Sequence, residues 1–504
     1  MKLRTGHSFT FLSSEKQNQA RLKSVSGLTT IFAVLLFCLA AAIASPAQSF
    51  TSLVSFDGTD GLGPQSTLTQ GTDGDFYGVT TSGGIYGGAQ LGQGVVYRMT
   101  AAGDLTTLYS FCDDYPTCSD GAFPYPGLVL ASNGNFYGTT SYGSGTVFEI
   151  TPAGKLTTLH TFCSQPACSD GFGPSSLMQA SNGNFYGTTI YSCDNYCGYG
   201  TVFEMTPAGK LTTLYTFCSL ANCADGSNPY GLALVQGTNG NFYGTTEGGG
   251  ANSSDAGTVF EITPAGRLST IYSFCPRGHR PYCTDGELPN GLMQASNGNF
   301  YGTTVLGGSD GEGTVFEISA AGKFSTLHSF DFSDGSNPQP LMQGSDGKLY
   351  GTTEYGTAQI YIHWGGTIFE ITTAGALTTL FDSFDYENGA YPGAGLMQAT
   401  NGGFYGTTSA GANNDGTVFS LSVGLGPFVT TLPSSGKAGT KVAILGNDLT
   451  GTTSVTFDGA AATFEVVSGS EITTTVPAGA TSGVVEVATS SNTLKSNVEF
   501  RVLP

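Results

Sequence analysis

A chain of 504 residues with 75 glycines and 11 % charged side chains exceeds one small domain, and it lacks the long amphipathic patterns of a helical bundle. Its 37 acidic against 17 basic residues give a net charge of −20, which argues against nucleic acid or anionic lipid as partners. Abundant Gly, Thr, Ser, Tyr and Phe suit many short strands joined by tight turns, an all-β chain.

The first 24 residues carry Lys2, Arg4, Lys16, Arg21 and Lys23 against one acid, Glu15. An apolar run over 28–44 follows, and Ala42-Ile43-Ala44 is the expected cleavage signal, with Ser45-Pro46-Ala47 as the second choice. This is the pattern of a secretory signal peptide over 1–44. The run is short for a membrane span, so none is expected after cleavage. Cys38 follows the bulky Phe37, which argues against lipoprotein processing. Removing these residues takes the net charge from −20 to −24, as expected of a secreted protein or of a surface that gathers cations.

From there one phrase organises the chain. Gly134-Asn135-Phe136-Tyr137-Gly138-Thr139-Thr140 recurs, lightly edited, around Tyr77, Tyr137, Tyr186, Tyr243, Tyr301, Tyr350 and Tyr405, at spacings of 60, 49, 57, 58, 49 and 55 residues. Such a period signals a repeat architecture. In the copy over 174–217, four strands are expected at 177–180, 184–189, 200–206 and 211–217. Ser181-Asn182-Gly183 and Pro207-Ala208-Gly209-Lys210 serve as turns. Each unit therefore reads as a four-stranded antiparallel propeller blade. Residues 50–56 match a fourth strand with nothing before it, and the last unit stops after its third strand at 416–421. The offset predicts a seven-bladed β-propeller over 48–424 closed by the N-terminal strand. In the phrase, Phe136 and Tyr137 should point to opposite faces and pack against the two neighbouring blades.

Past a linker at 425–427 the phrase disappears. Residues 428–504 read as strands at 441–445, 454–457, 463–467, 471–476, 484–488 and 497–502. Pro433, Gly436, Gly439 and Thr440, with Val442-Ala443-Ile444-Leu445-Gly446, Val455-Thr456-Phe457-Asp458-Gly459 and Val476-Pro477-Ala478-Gly479-Ala480, resemble the IPT/TIG family. That resemblance implies an immunoglobulin-like β-sandwich serving as a spacer or adhesive module. The Gly-Asn-Phe-Tyr-Gly-Thr-Thr copies, the Gly-Thr-Val-Phe-Glu-Ile strand and Gly291-Leu292-Met293-Gln294 resemble the bacterial GloVer repeats. This second resemblance covers 50–423 and implies a secreted or surface protein. Some members end in a sorting anchor; Val502-Leu503-Pro504 departs from them.

Ten cysteines follow the signal. Cys112 with Cys118, Cys163 with Cys168, Cys218 with Cys223 and Cys275 with Cys283 each begin after the Phe that ends a fourth strand and stop two residues before Asp-Gly. Cys193 and Cys197 form a fifth pair between a second and a third strand. Units without the pair carry Phe56-Asp57, Phe330-Asp331 and Phe384-Asp385, and their loops are shorter, with 4 residues from Phe to Asp60, Asp334 or Asn388 against 8 to 11 in the others. Two loop designs are expected: one stapled by a disulfide, as export permits, and one folded by an Asp side chain on nearby N–H groups. Metal binding by the Cys pairs is the weaker alternative, because the pairs lie on separate units.

Glu149, Glu204, Glu261, Glu317 and Glu370 recur at one third-strand position. A ring of carboxylates could bind a cation or act on a glycoside. Recurrence with the scaffold favours side chains bonded to Thr or Tyr hydroxyls. Asp60, Asp120, Asp170, Asp225, Asp285 and Asp334 are similarly read as turn residues, with calcium as the alternative. His160 and His328 replace Tyr109, Tyr215 and Tyr272 and read as ordinary strand residues. His279 lies with Arg277 and Arg280 in a basic tip. His363 and the chain's one Trp, Trp364, make the loop at 358–366 the candidate binding contact.

No nucleophile elbow, phosphate loop or zinc motif is present. The expectation is a secreted, extracellular or cell-surface protein, with the periplasm as an alternative compartment. It would be non-enzymatic, need no cofactor, and contact an extracellular protein or glycan through propeller loops. The alternative is a carbohydrate-active hydrolase or lyase working in the propeller funnel, and fold alone does not choose.

Overall fold

The computed structural model describes residues 48–86, 92–192, 198–231, 234–251, 255–276, 283–356, 365–411 and 414–504. Among these the structure is all-β, and helix is limited to 3-10 turns such as Pro166–Cys168, Ala221–Cys223 and Leu449–Gly451. No helix of the described residues is long and apolar enough to cross a membrane.

The repeats build four-stranded antiparallel meanders. In the copy over 174–217, Phe172–Gln179, Phe185–Tyr191, Thr201–Met205 and Leu211–Thr216 pair in order. The first strand is longer than the expected 177–180 because pairing continues through a bulge between Pro174 and Ser176. One sheet has five strands: its first is split into Ser336–Pro338 and Met342–Gln343, both on Leu349–Tyr355. Pro340 lies in the break and has no N–H to give. Strand Ser49–Ser55 pairs antiparallel with Thr417–Ser422, in the sheet that also holds Met397–Gln398 and Phe404–Thr408.

The second strand is the core of each unit, and Phe136–Thr140 is buried throughout. Its Phe and Tyr face opposite sides, so the Tyr meets the Phe of the following unit, except that Tyr301 packs with Leu349, which stands in that Phe's place. Tyr77 stacks on Phe136 at 4.0 Å, Tyr137 meets Phe185 at 4.2 Å, Tyr186 stacks on Phe242 at 4.0 Å, and Tyr350 meets Phe404 at 4.2 Å. The last Tyr, Tyr405, lies 4.3 Å from the first Phe, Phe76. A second series joins the Phe that ends a fourth strand to the ring of the next third strand: Phe162 to Phe203 at 5.3 Å, Phe384 to Phe419 at 5.3 Å, and Phe56 to Tyr97 at 5.2 Å. Each such pair adds about 0.5–1.5 kcal/mol beyond area burial. The glycine of the phrase makes room for this packing, since a Cβ on Gly187 would sit 2.4 Å from the Phe203 ring.

The threonines close the strand ends. Thr189 and Thr201 hydroxyls bond at 2.8 Å across the strands, as do Thr246 and Thr258 at 2.8 Å. A first-strand Gln reaches the preceding unit: Ser181 N donates to Gln236 Oε1 at 2.9 Å, and Thr400 N donates to Gln70 Oε1 at 3.0 Å.

After 427 two further sheets share one core of Val429, Val442, Ile444, Val455, Phe457, Ile472 and neighbours. One orders Thr430–Leu432, Lys441–Leu445, Glu471–Thr475 and Phe464–Val466; the other orders Ala460–Ala462, Thr452–Phe457, Val485–Thr489 and Thr493–Lys495. The expected strand at 497–502 is reduced to Arg501–Val502, which pairs in parallel with Ser435–Gly436.

Candidate functional site

The recurring glutamates sit opposite the tyrosine of the phrase, as in Tyr186↔Glu204. The rings are buried, and their hydroxyls emerge at the turn between first and second strands. Glu204 Oε1 accepts from Tyr186 at 2.7 Å and from Asn184 Nδ2 at 2.8 Å. Glu149 accepts from Tyr137 at 2.9 Å, Asn135 at 2.7 Å and Asn133 at 3.3 Å. Burial first, then the adjacent carboxylate, pushes Tyr137, Tyr186 and Tyr243 up to about 12. Burial alone would raise Glu261, but bonds from Asn241, Tyr243 and Asn239 outweigh it and hold the carboxyl below its ordinary value.

Units that change one partner change the others. Arg98 replaces the Glu, and the turn there supplies Asp75 at 3.6 Å and Asp73, which accepts from Tyr77 at 2.7 Å. Lys348 replaces a turn Asn and meets Glu370 at 2.7 Å. Each of these carboxylates is bound to partners within its own unit.

The Asp-Gly series anchors the loops between units. Asp120 accepts from Tyr109 at 2.8 Å and from Cys112 N at 2.9 Å; Asp225 accepts from Tyr215 at 2.8 Å and Ser219 N at 2.9 Å. His160 and His328 take the tyrosine's part, meeting Asp170 at 3.2 Å and Asp334 at 2.6 Å. Disulfides join Cys112 to Cys118, Cys163 to Cys168, Cys218 to Cys223 and Cys275 to Cys283. In the short loops Asp57 Oδ1 accepts from Thr59 N at 2.9 Å, and Asp385 Oδ1 accepts from Glu387 N and Asn388 N, both at 2.9 Å. Asp113, Asp114 and Asp120 bring carboxylate oxygens within 4.8 Å of one another, the arrangement that could hold a cation. Asp120 is already committed to Tyr109 and Cys112, and Asp114 accepts from Ser119 N at 3.0 Å.

The turn ends of the units meet the C-terminal sheets. Ser470 Oγ donates to Thr72 O at 2.8 Å, Asn447 Nδ2 to Thr400 Oγ1 at 2.8 Å, and Arg501 to the carbonyls of Gly237 and Thr238. A cleft of about 710 Å³ remains there, lined by Thr72, Ser132, Asn133, Lys441, Phe464 and Glu465 among others.

The loop ends carry the aromatic side chains. Tyr86, Tyr115, Tyr142, Tyr199, Tyr230 and Tyr355 are exposed. At the start of the first strands, each following a proline, stand Gln65, Tyr125, Ser175, Tyr230, Asn290, Gln339 and Gly393. Tyr125 and Tyr230 stack at 5.9 Å and 23° across the intervening unit, where the small, buried Ser175 donates to Pro229 O at 2.6 Å. Asn290 Nδ2 donates to Gln339 Oε1 at 3.4 Å. Beside these lie Glu247, adjacent to Tyr125 and Tyr230, and Glu354, which accepts from Asn337 at 3.0 Å.

The profile of the Gloeobacter/Verrucomicrobia repeat matches residues 40–198, 85–282 and 279–464. The chain belongs to this repeat family. Residues 427–502 match the IPT/TIG domain. No curated protein sequence matches the chain. Among solved structures it is similar to a protein of unknown function from Bacteroides thetaiotaomicron, with TM-score 0.41, 16 % identity, and 75 % of this chain and 76 % of that one covered. It is also similar to the PQQ-bound form of an aldose sugar dehydrogenase from Streptomyces coelicolor, with TM-score 0.37, 12 % identity and coverage of 59 % and 93 %. A luciferin-regenerating enzyme gives TM-score 0.38, 11 % identity and coverage of 76 % and 98 %. These likenesses are too distant to bear on activity.

Within this Gloeobacter/Verrucomicrobia repeat chain, Cys193, Cys197, His279, His363 and Trp364 lie outside the described residues, as does the expected signal peptide. Sequence reasoning overlooked Glu247 and Glu354. Both occupy the position after Thr-Thr, where other units carry Thr81, Ser141, Ile190, Val305 and Ser409. Departure from the repeat was the signal that marked them.

Proposed function

We propose that the protein is a secreted or cell-surface binding protein without catalytic activity, built as a closed seven-bladed β-propeller followed by an immunoglobulin-like module. Closure is supported by the pairing of Ser49–Ser55 with Thr417–Ser422 and by the Phe76–Tyr405, Phe56–Tyr97 and Gln70–Thr400 contacts between first and last units. Export is supported by the signal-like N-terminus and the disulfides. One observation carries the binding reading: the recurring carboxylates are bound into the scaffold, whereas the side chains that vary from unit to unit place aromatic rings at the loop ends. The IPT/TIG module rests on the opposite, turn ends, so the loop ends are the contact surface for an extracellular protein or glycan. The mature chain should retain ligands on a glycan and protein array and turn none of them over. Turnover of a glycan with no retained ligand would favour the carbohydrate-active alternative.

A further inference from the structure

Glu247 differs from the scaffold carboxylates of the third strands and of the Asp-Gly turns, which are bound to partners. It is half-buried, and its carboxylate makes no hydrogen bond or ion pair among the described residues. Its place is fixed by the backbone: Glu247 N donates to Asn228 O at 3.1 Å, and the flanking Gly248 bridges Ser227. Glu354, at the same position two units later, has Asn337 as its donor. A carboxylate drawn from water without a donor is costly, and a ligand that brings donors and positive charge relieves that cost.

The neighbours of Glu247 are aromatic. The Tyr125 and Tyr230 rings stack beside it, and Tyr191 stands next to Tyr230. Burial raises the Glu247 carboxyl and the Tyr125 and Tyr230 phenols above their ordinary values, and the neutral rings keep electron-rich faces. Aromatic faces beside a carboxylate are the surroundings that attract an organic cation. The excess of 37 acidic over 17 basic residues steers cations toward the surface in general.

We propose that Tyr125, Tyr230 and Glu247 form a binding site for an alkylammonium group, whether carried by a lysine side chain or by an amino sugar. The site deepens the binding reading of the loop ends and rests on it. Ser175 is part of the design: the stacked pair spans its unit, and a large residue there would part the rings.

The test is calorimetric titration of the full mature chain with Nα-acetyl-lysine amide and with glucosamine. Nα-acetyl-norleucine amide and N-acetylglucosamine serve as uncharged counterparts. Glu247→Gln removes the charge at constant shape, Tyr230→Leu removes one face, and Glu354→Gln is the control. The expected result is binding of at least one ammonium probe, silence from its uncharged counterpart, and a loss of at least about tenfold in Glu247→Gln and in Tyr230→Leu, with Glu354→Gln unchanged. Which ammonium probe binds identifies the source. Equal binding by wild type and Glu247→Gln, or binding of neither ammonium probe, overturns the site. The broader binding reading then stands or falls separately, on whether the array retains any ligand.

Discussion

At the scale of single residues, the Glu204 carboxylate is the shared acceptor of a tyrosine and an asparagine from one hairpin. Removing it leaves the Tyr186 hydroxyl and the Asn184 amide without that acceptor, beside a ring that is 1 % exposed. Glu204→Ala should therefore cost about 1–3 kcal/mol in urea unfolding, and Glu204→Gln less, because the amide oxygen still accepts. An alanine variant as stable as wild type would contradict the structural role. The sequence displayed the recurrence of this Glu but not its partners. Those depend on strand register, Tyr186↔Glu204, and on the direction of the turn asparagines. Comparing units would have exposed the cluster, since Asp75 accompanies Arg98 and Lys348 accompanies Glu370. The same comparison marks Glu247, which no scaffold partner explains.

At the scale of elements, the two loop designs were readable because Phe-Cys and Phe-Asp alternate at one position. What was hidden is that both designs share an anchor. Asp170, fully buried, accepts from Ser164 N at 3.1 Å in a stapled loop, and Asp334 accepts from Asp331 N at 3.3 Å in a short one. The disulfide is thus an addition to a loop already held by its Asp. Replacing Cys163 and Cys168 together by Ser should cost about 2 kcal/mol by loop-entropy reasoning and leave the sheet intact, as read from urea unfolding and far-ultraviolet circular dichroism. Loss of the β signal would show that the staple, not the Asp, holds the element. Strand ends were less legible. The first strand of this unit runs through Pro174 by way of a bulge, and pairings as short as Ala460–Ala462 and Thr493–Lys495 have no period to read.

At the scale of the whole molecule, the offset between an orphan fourth strand at the start and a three-stranded unit at the end was the sequence's strongest architectural signal. In the structure Ser49–Ser55 lies against Thr417–Ser422, and aromatic pairs continue from the last unit to the first. The IPT/TIG module was legible from its own residues, but its seat on the turn ends was not. That seat depends on single contacts such as Ser470 with Thr72, separated by 398 residues. The proposed arrangement of loop ends around one mouth, with Tyr125, Tyr230 and Glu247 at its rim, requires the ring to close. Thr51 and Ser420 are directly paired across the closing strands, and residues directly opposed in an antiparallel pair have Cα atoms roughly 4.5–5.5 Å apart, within disulfide reach. The most direct measurement is peptide mapping by mass spectrometry of the oxidised, natively folded double variant Thr51→Cys, Ser420→Cys. A closed propeller predicts one disulfide-linked peptide joining the two new cysteines within a single chain. Two free new thiols, or a link found only between two chains, would contradict it.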